Sequence, residues 1–166
     1  SAATIGEGVT IGPYAVIGPK VKIGRGTAVA AHAVIQGDTT IGQDCQIFSF
    51  SAIGTIPQDL KYAGEPGQVV IGDRTTVREH VTINLGTSGG GLVTSIANDC
   101  LLMTGVHVAH DCQIHNNVIL VNNVILGGHV VVNEHCVIGG HAGVHQFVNI
   151  GRYSMVGGMS RLVQDV

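Results

Sequence analysis

The chain has no tryptophan, only three tyrosines and three phenylalanines, and four prolines among its 166 residues. With aromatics at 4% and apolar residues at 45%, the core must be built from small and branched aliphatic side chains, unlike that of an ordinary sandwich or bundle. Eight Lys and Arg against eleven Asp and Glu give a net charge of −3, which leaves no basic stripe for nucleic acid. Long apolar runs are also missing. Gly, Asp, Asn or His interrupts each one well before the roughly 18 residues of a spanning helix, despite a mean hydropathy of +0.37. No basic segment followed by an apolar one opens the chain, so the expected compartment is the cytoplasm. The chain begins at Ser1 without methionine, as a piece of a longer reading frame would.

What is abundant is glycine, 25 residues of it, and a strict period. An aliphatic residue recurs every sixth position at Ile5, Ile11, Ile17, Ile23, Val29, Ile35, Ile41, Ile47 and Ile53. The same phase resumes at Ile71, Val77 and Ile83, and a one-residue shift then starts a third run from Ile96 to Leu162. The fifth position of each hexapeptide is small or β-branched, as at Val21, Ala33, Thr75, Val106 and Ala142. One large and one small inward residue per six describe a flat face of a triangular prism. Three faces make a coil, so the repeats predict one all-β domain over 1–166, a parallel β-helix of about eight triangular coils. At about 4.8 Å per stacked strand it is roughly 35–40 Å long. Gly follows the lead aliphatic at Gly6, Gly12, Gly24, Gly42, Gly139 and elsewhere, where a corner is expected to need a permissive backbone.

Two stretches break the period, at about 55–70 and 86–95, and the second contains Gly89-Gly90-Gly91. Insertions in a solenoid project from one face and often carry function. Cys45, Cys100, Cys112 and Cys136 all fall on the inward fifth position and lack Cys-x-x-Cys spacing, so they read as free, buried core fillers.

Nine histidines raise the question of a metal. A zinc site of the kind found in β-helical carbonic anhydrases wants two histidines five apart and a third roughly 35 residues earlier. His110 and His115 are five apart, but positions 73–77 hold no histidine, so no metal is expected. His32, His80, His115, His135 and His141 read as turn or surface residues. The segment His107-Val-Ala-His110-Asp111 pairs two imidazoles with a carboxylate at one corner. Imidazole is the usual base for a hydroxyl proton, and an adjacent Asp can orient it. Stepping 18 residues per coil stacks His110, Gly128 and Gln146, which places a glycine N–H beside the base, open to an oxyanion; His129 and His145 flank this column.

These residues carry a resemblance. Gln58-Asp-Leu-Lys-Tyr-Ala-Gly-Glu-Pro66, Ile71-Gly-Asp-Arg-Thr-Thr-Val-Arg-Glu79, Val106-His-Val-Ala-His-Asp-Cys112, Gly127-Gly-His129, Gly143-Val-His-Gln-Phe147 and Met155-Val-Gly-Gly158 resemble the UDP-N-acetylglucosamine acyltransferases, in one register from Ser1 to Val166. The resemblance implies a left-handed coil and a homotrimer with sites between subunits. It also implies transfer of an (R)-3-hydroxyacyl group from the phosphopantetheine thioester of acyl carrier protein to the 3-hydroxyl of UDP-N-acetylglucosamine, the first step of lipid A synthesis, without cofactor or metal. By the same resemblance His110 is the general base, Asp111 its partner and the Gly128 N–H the oxyanion donor. Asp59, Lys61, His107, His129, His145 and Gln146 match positions that hold the sugar nucleotide or the pantetheine arm. Gly158 matches a position that limits acyl length, its small size implying room for a longer chain. Family members carry about one further coil at the N-terminus and a C-terminal helical region whose arginines bind the nucleotide phosphates, and neither is present here. Two alternatives stay open beside the O-acyltransferase: a non-catalytic trimeric β-helix core, and an N-acyltransferase relative acting on a sugar amine.

Overall fold

A computed structural model describes residues 2–166. The chain winds as a parallel β-helix with three eight-stranded sheets, each contributing one strand to every coil. Sheet one runs from Thr4–Ile5 to Asn149–Ile150, sheet two from Thr10–Ile11 to Met155–Val156, and sheet three from Val16–Ile17 to Arg161–Leu162. The coil is left-handed, against the usual preference for right-handed crossovers. All 24 strands end on, or in one case just after, the lead aliphatics of the hexapeptides, or in one further case extend two residues past it to Thr55.

Alternation along each short strand explains the core. The lead residue and the one two before it point inward: Ala33 and Ile35, Val69 and Ile71, Val106 and Val108 are all at most 1% exposed. Burying each large aliphatic contributes about 1.5–3 kcal/mol, and the stack repeats this along the prism axis. Ile5 and Ile11, on the first coil, are 44% exposed, since no further coil among the described residues covers them.

The corners differ from expectation. Residues in the left-handed backbone region lie three positions after the lead, not one: Tyr14, His32, Asp44, Phe50, Asp111, His129 and Tyr153 have φ between 54° and 62°. Asp, Asn and His dominate these places because their short polar or planar side chains tolerate this conformation best. His32, Asp44, His129 and Tyr153 each donate their N–H to a carbonyl of the preceding coil, His129 to that of His110 at 3.1 Å. The glycine after the lead serves a different purpose. A Cβ on Gly12 would lie 2.5 Å from the Ala31 nitrogen, and one on Gly139 2.4 Å from the Gly158 nitrogen, so these positions are small because successive corners touch. Only Gly54, with φ of 76°, also needs the conformational freedom.

The corner residues stack along the axis. Tyr14, His32, Phe50 and His80 form a ladder of near-parallel rings 5.1–5.3 Å apart. His135 belongs to a second pair with Tyr153, and His141 occupies the same kind of corner. His115 does not, lying 4.0 Å from Glu134 on the surface.

The four cysteines are free and buried. They also donate: each Sγ–H points to a carbonyl of the next coil, from Cys136 to Gly151 at 2.7 Å, Cys45 to Gly72 at 3.0 Å, and Cys100 to His115 and Cys112 to Gly127 at 3.1 Å. Thr27 and Thr75 make the same bond with hydroxyls at 2.9 and 2.8 Å. The inward fifth position therefore takes a small side chain that either fills space or ties two coils together.

Both inserts are shorter than the broken period suggests. The strand Gln68–Ile71 pairs with Asp38–Ile41 on one side and Val93–Ile96 on the other over four residues, which leaves 56–67 and 85–92 outside the ladders. The second insert contains a 3-10 turn at Ser88–Gly90. No helix of the described residues is long and apolar enough to cross a membrane.

Candidate active site

The corner that follows sheet three in the fifth coil carries His110 and Asp111, and both inserts fold over it. Asp111 has a left-handed φ of 62°, and its N–H donates to Thr94 Oγ1 at 2.8 Å. These contacts turn the carboxylate back toward the neighbouring ring. His110 Nδ1 lies 2.7 Å from Asp111 Oδ2, with the carboxylate wholly buried and the imidazole 9% exposed. This bond directs Nε2 away from Asp111. Oδ1 accepts the Thr87 N–H at 2.8 Å, and Oδ2 also accepts the Thr87 hydroxyl at 2.6 Å.

Gly128 sits one coil on, against the imidazole. A Cβ there would lie 2.6 Å from His110 Cε1 and 2.7 Å from Nε2, so only glycine leaves the ring in place. The Gly128 N–H has no acceptor among the described residues. Gln146 follows on the next coil and lines the same cleft as His107, His110 and Gly128, a space of about 220 Å³. His129 crosses the His110 ring edge-on at 5.1 Å and stacks on Phe147 at 4.4 Å. Burial holds the His129 imidazole below its ordinary pKa, although the Asp111 charge opposes this. His107 is likewise lowered by burial, and its Nδ1 meets Thr82 Oγ1 at 2.7 Å.

The first insert brings Asp59 and Lys61 to the same corner. Asp59 Oδ2 is 3.9 Å from His110 Nε2 and 3.6 Å from Lys61 Nζ. The Lys61 N–H donates to Asp59 Oδ1 at 2.9 Å, which with the ammonium charge holds the carboxyl below its ordinary pKa. The inserts also touch one another, through the Ser88 N–H and Glu65 Oε1 at 3.3 Å.

The structure brings Asp59, Lys61, His107, His110, Asp111, Gly128, His129 and Gln146 around one corner. His145 is exposed and lies just outside, beside an apolar groove on sheet three lined by Ile125, Gly143 and Val163. Gly158 is set apart, exposed at a corner after sheet two. His110, Asp111 and His129 present ligand atoms within 4.8 Å of one another, a spacing that a metal ion could bridge. The Asp111 oxygens, however, already accept three hydrogen bonds, so the carboxylate is committed to the protein.

Comparison with known proteins finds relatives of this chain. The family described as Bacterial transferase hexapeptide (six repeats) matches residues 2–37 and 94–128. The acyl carrier protein-dependent UDP-N-acetylglucosamine O-acyltransferase of Sulfurovum sp. (strain NBC37-1) is 54% identical over 164 residues, which is 99% of this chain and 63% of the relative. The structure of UDP-N-acetylglucosamine acyltransferase from Campylobacter jejuni is 41% identical with a TM-score of 0.87, over 99% of this chain and 67% of that one. The chain belongs to the UDP-N-acetylglucosamine acyltransferase family. A further acyltransferase of this family, from Moraxella catarrhalis, gives a TM-score of 0.98 at 45% identity, over 99% of this chain and 64% of that one. The chain thus spans 63% of the length of the curated relative.

Within this acyltransferase fold, three residues near the corner escaped the sequence reading. Thr87 grips Asp111, Thr82 meets His107, and Asn84 is 2% exposed beside them. The Asn84 Nδ2 donates to Thr55 Oγ1 at 2.8 Å and to the Ile56 carbonyl, while its Oδ1 has no partner among the described residues. The signal for them was present in the register: Thr82 pairs with His107 across a coil of 25 residues instead of 18.

Proposed function

We propose that this chain carries the catalytic core for transfer of an (R)-3-hydroxyacyl group from acyl carrier protein to the 3-hydroxyl of UDP-N-acetylglucosamine, the first step of lipid A synthesis. The observation that carries the reading is the buried His110–Asp111 pair at 2.7 Å, with the Gly128 backbone against the imidazole. His110 Nε2 takes the proton of the sugar 3-hydroxyl, and the oxygen attacks the thioester carbonyl carbon. Asp111 holds the imidazolium through Nδ1. The Gly128 N–H donates to the oxyanion that forms. Collapse re-forms the carbonyl and breaks the C–S bond, and His110 returns its proton to the departing pantetheine sulfur. Proton and electron pairs balance without cofactor or metal.

Asp59, Lys61, His107, His129 and Gln146 surround the acceptor and the pantetheine arm, with His145 at the mouth of the apolar groove. That groove suits an acyl chain; Gly158 lies outside it, at a corner after sheet two. A homotrimer in the cytoplasm, recruiting acyl carrier protein, is the working form. A second reading is a non-catalytic trimeric β-helix core that neither binds the sugar nucleotide nor turns it over; the chain spans 63% of its curated relative. The test is acyl transfer from hydroxyacyl carrier protein to UDP-N-acetylglucosamine by the purified chain and by His110→Ala. Turnover lost in the variant supports the mechanism; turnover that survives it removes His110 as base. A trimer with no transfer, and no binding of the sugar nucleotide at millimolar concentration, favours the second reading.

A further inference from the structure

Asp111 is a carboxylate sealed from water, yet only one of its three hydrogen-bond donors belongs to the catalytic pair. The other two both come from Thr87, in the second insert, which is itself 5% exposed. We propose that Thr87 is a positioning residue for catalysis, its hydroxyl and N–H clamping both Asp111 oxygens so that Oδ2 stays aligned with His110 Nδ1. The proposal rests on the acyl-transfer reading and deepens it.

Three observations carry the assignment. The two Thr87 contacts engage different oxygens, so together they fix rotation of the carboxylate about its own axis. The insert then lies directly on that carboxylate: a Cβ on Gly90 would be 2.1 Å from Asp111 Cγ, which closes the space to water. Finally, Thr87 Oγ1 and His110 Nδ1 share the same acceptor, Oδ2, at 2.6 and 2.7 Å. Hydrogen bonds to an ionised carboxylate stabilise its charged form and spread its charge. The Thr87 hydroxyl therefore draws part of that charge away from the imidazole. Without it, the carboxylate is freer to turn and its charge is no longer shared with the hydroxyl, so its contact with His110 Nδ1 changes. The other charged or titratable groups facing His110 and Asp111 are Asp59 at 3.9 Å and His129 at 3.8 Å, with Lys61 beside Asp59.

The experiment compares Thr87→Val, which keeps shape and N–H but loses the hydroxyl, with Thr87→Ser, which keeps the donor. For Thr87→Val the expectation is a kcat reduced about tenfold, as for loss of one hydrogen bond to a charged group. Both KM values should stay within about threefold and the acid limb of the pH–rate profile should shift. Thr87→Ser should restore kcat and the profile. A purely structural role would lower the thermal midpoint of both variants without moving the acid limb, and that result overturns the proposal. So does a Thr87→Val enzyme with unchanged kcat and profile. Imidazole 15N–1H NMR reads the same clamp without turnover. Thr87→Val should displace the His110 Nδ1–H signal and Thr87→Ser should not; an unmoved signal rejects the clamp even if the chain proves inactive. No transfer by the wild type, with the His110 signal responding as expected, would instead count against the acyl-transfer reading alone.

Discussion

Gly128→Ala offers the sharpest check on how the imidazole is held. The added methyl carbon would stand 2.6 Å from His110 Cε1, where ordinary van der Waals contact begins near 3.4 Å. The ring must therefore withdraw by roughly 1 Å, and a misplacement of that size costs on the order of 100-fold in rate. It has little freedom to do so, being bonded to Asp111 at 2.7 Å and bordered edge-on by His129. The substitution leaves the Gly128 N–H in place, and Gly128 is not among the positive-φ residues, so the backbone itself accepts alanine. Loss of activity would then report ring position and not loss of the oxyanion donor. The expected outcome is a kcat lowered about 100-fold, near 2.7 kcal/mol in barrier height, with cooperative unfolding preserved. Gly157→Ala, whose Cβ would meet nothing nearer than Ser160 Oγ at 3.6 Å, is the folded control. Initial rates of acyl transfer at saturating substrates and a thermal melt decide the matter. A folded Gly128→Ala enzyme within threefold of wild type would refute the idea that Gly128 fixes the base.

Other perturbations follow from the same coordinates. Burial pushes the Cys100 thiol up to about 11 and Cys112 to about 12, so their thiolates are scarce at pH 8; a disulfide reagent should label these two only after unfolding, and rapid labelling of the native chain would contradict the packing. Leu120 is 0% exposed between Leu102 and Ile138, so Leu120→Ala should cost about 2–5 kcal/mol, read as a lower denaturant midpoint at constant slope. Burial holds folded His107 below its ordinary 6.5, so the unfolded chain takes up the proton first as pH falls. Stability should therefore decline on acidification from pH 7.5 to 5.5, less steeply in His107→Gln; equal slopes would mean that His107 titrates as if exposed.

The lead aliphatics made the fold readable because nothing else in the chain repeats so strictly, and each landed on a strand. The phase itself recorded the inserts. Asp38 pairs with Gln68 across a coil of 30 residues, 12 more than usual and so two whole repeats, which is why Ile71 resumes the original count. Gln68 pairs with Val93 across 25, which is 7 more, hence the one-residue shift at Ile96. The corner conformation was misread because glycine drew the attention. The left-handed places hold Asp44, Asn117, Asn123 and His135, but also Tyr14, Phe50 and Met159, and this mixture hides the pattern.

The site was legible only where counting by 18 holds. His110, Gly128 and Gln146 stack as that count requires, whereas Thr82 and Asn84 lie across the second insert from them and Thr87 lies within it, where the count fails. The inserts are also what make this corner different from the others. Asp44, Asp99 and Asp111 occupy the same place in their repeats with nearly the same φ, 54°, 58° and 62°. Asp44 and Asp99 remain exposed, and Asp99 does no more than pair with Arg74 on the surface. Asp111 alone lies under an insert, which removes it from water, supplies Thr87 as donor and leaves His110 as its neighbour. A charge–imidazole contact gains strength as water is excluded, so the same backbone corner changes from a solvated turn into a poised base. The regular repeat thus sets where side chains stand, and the seven residues added after Ile83 give one of those places its chemistry.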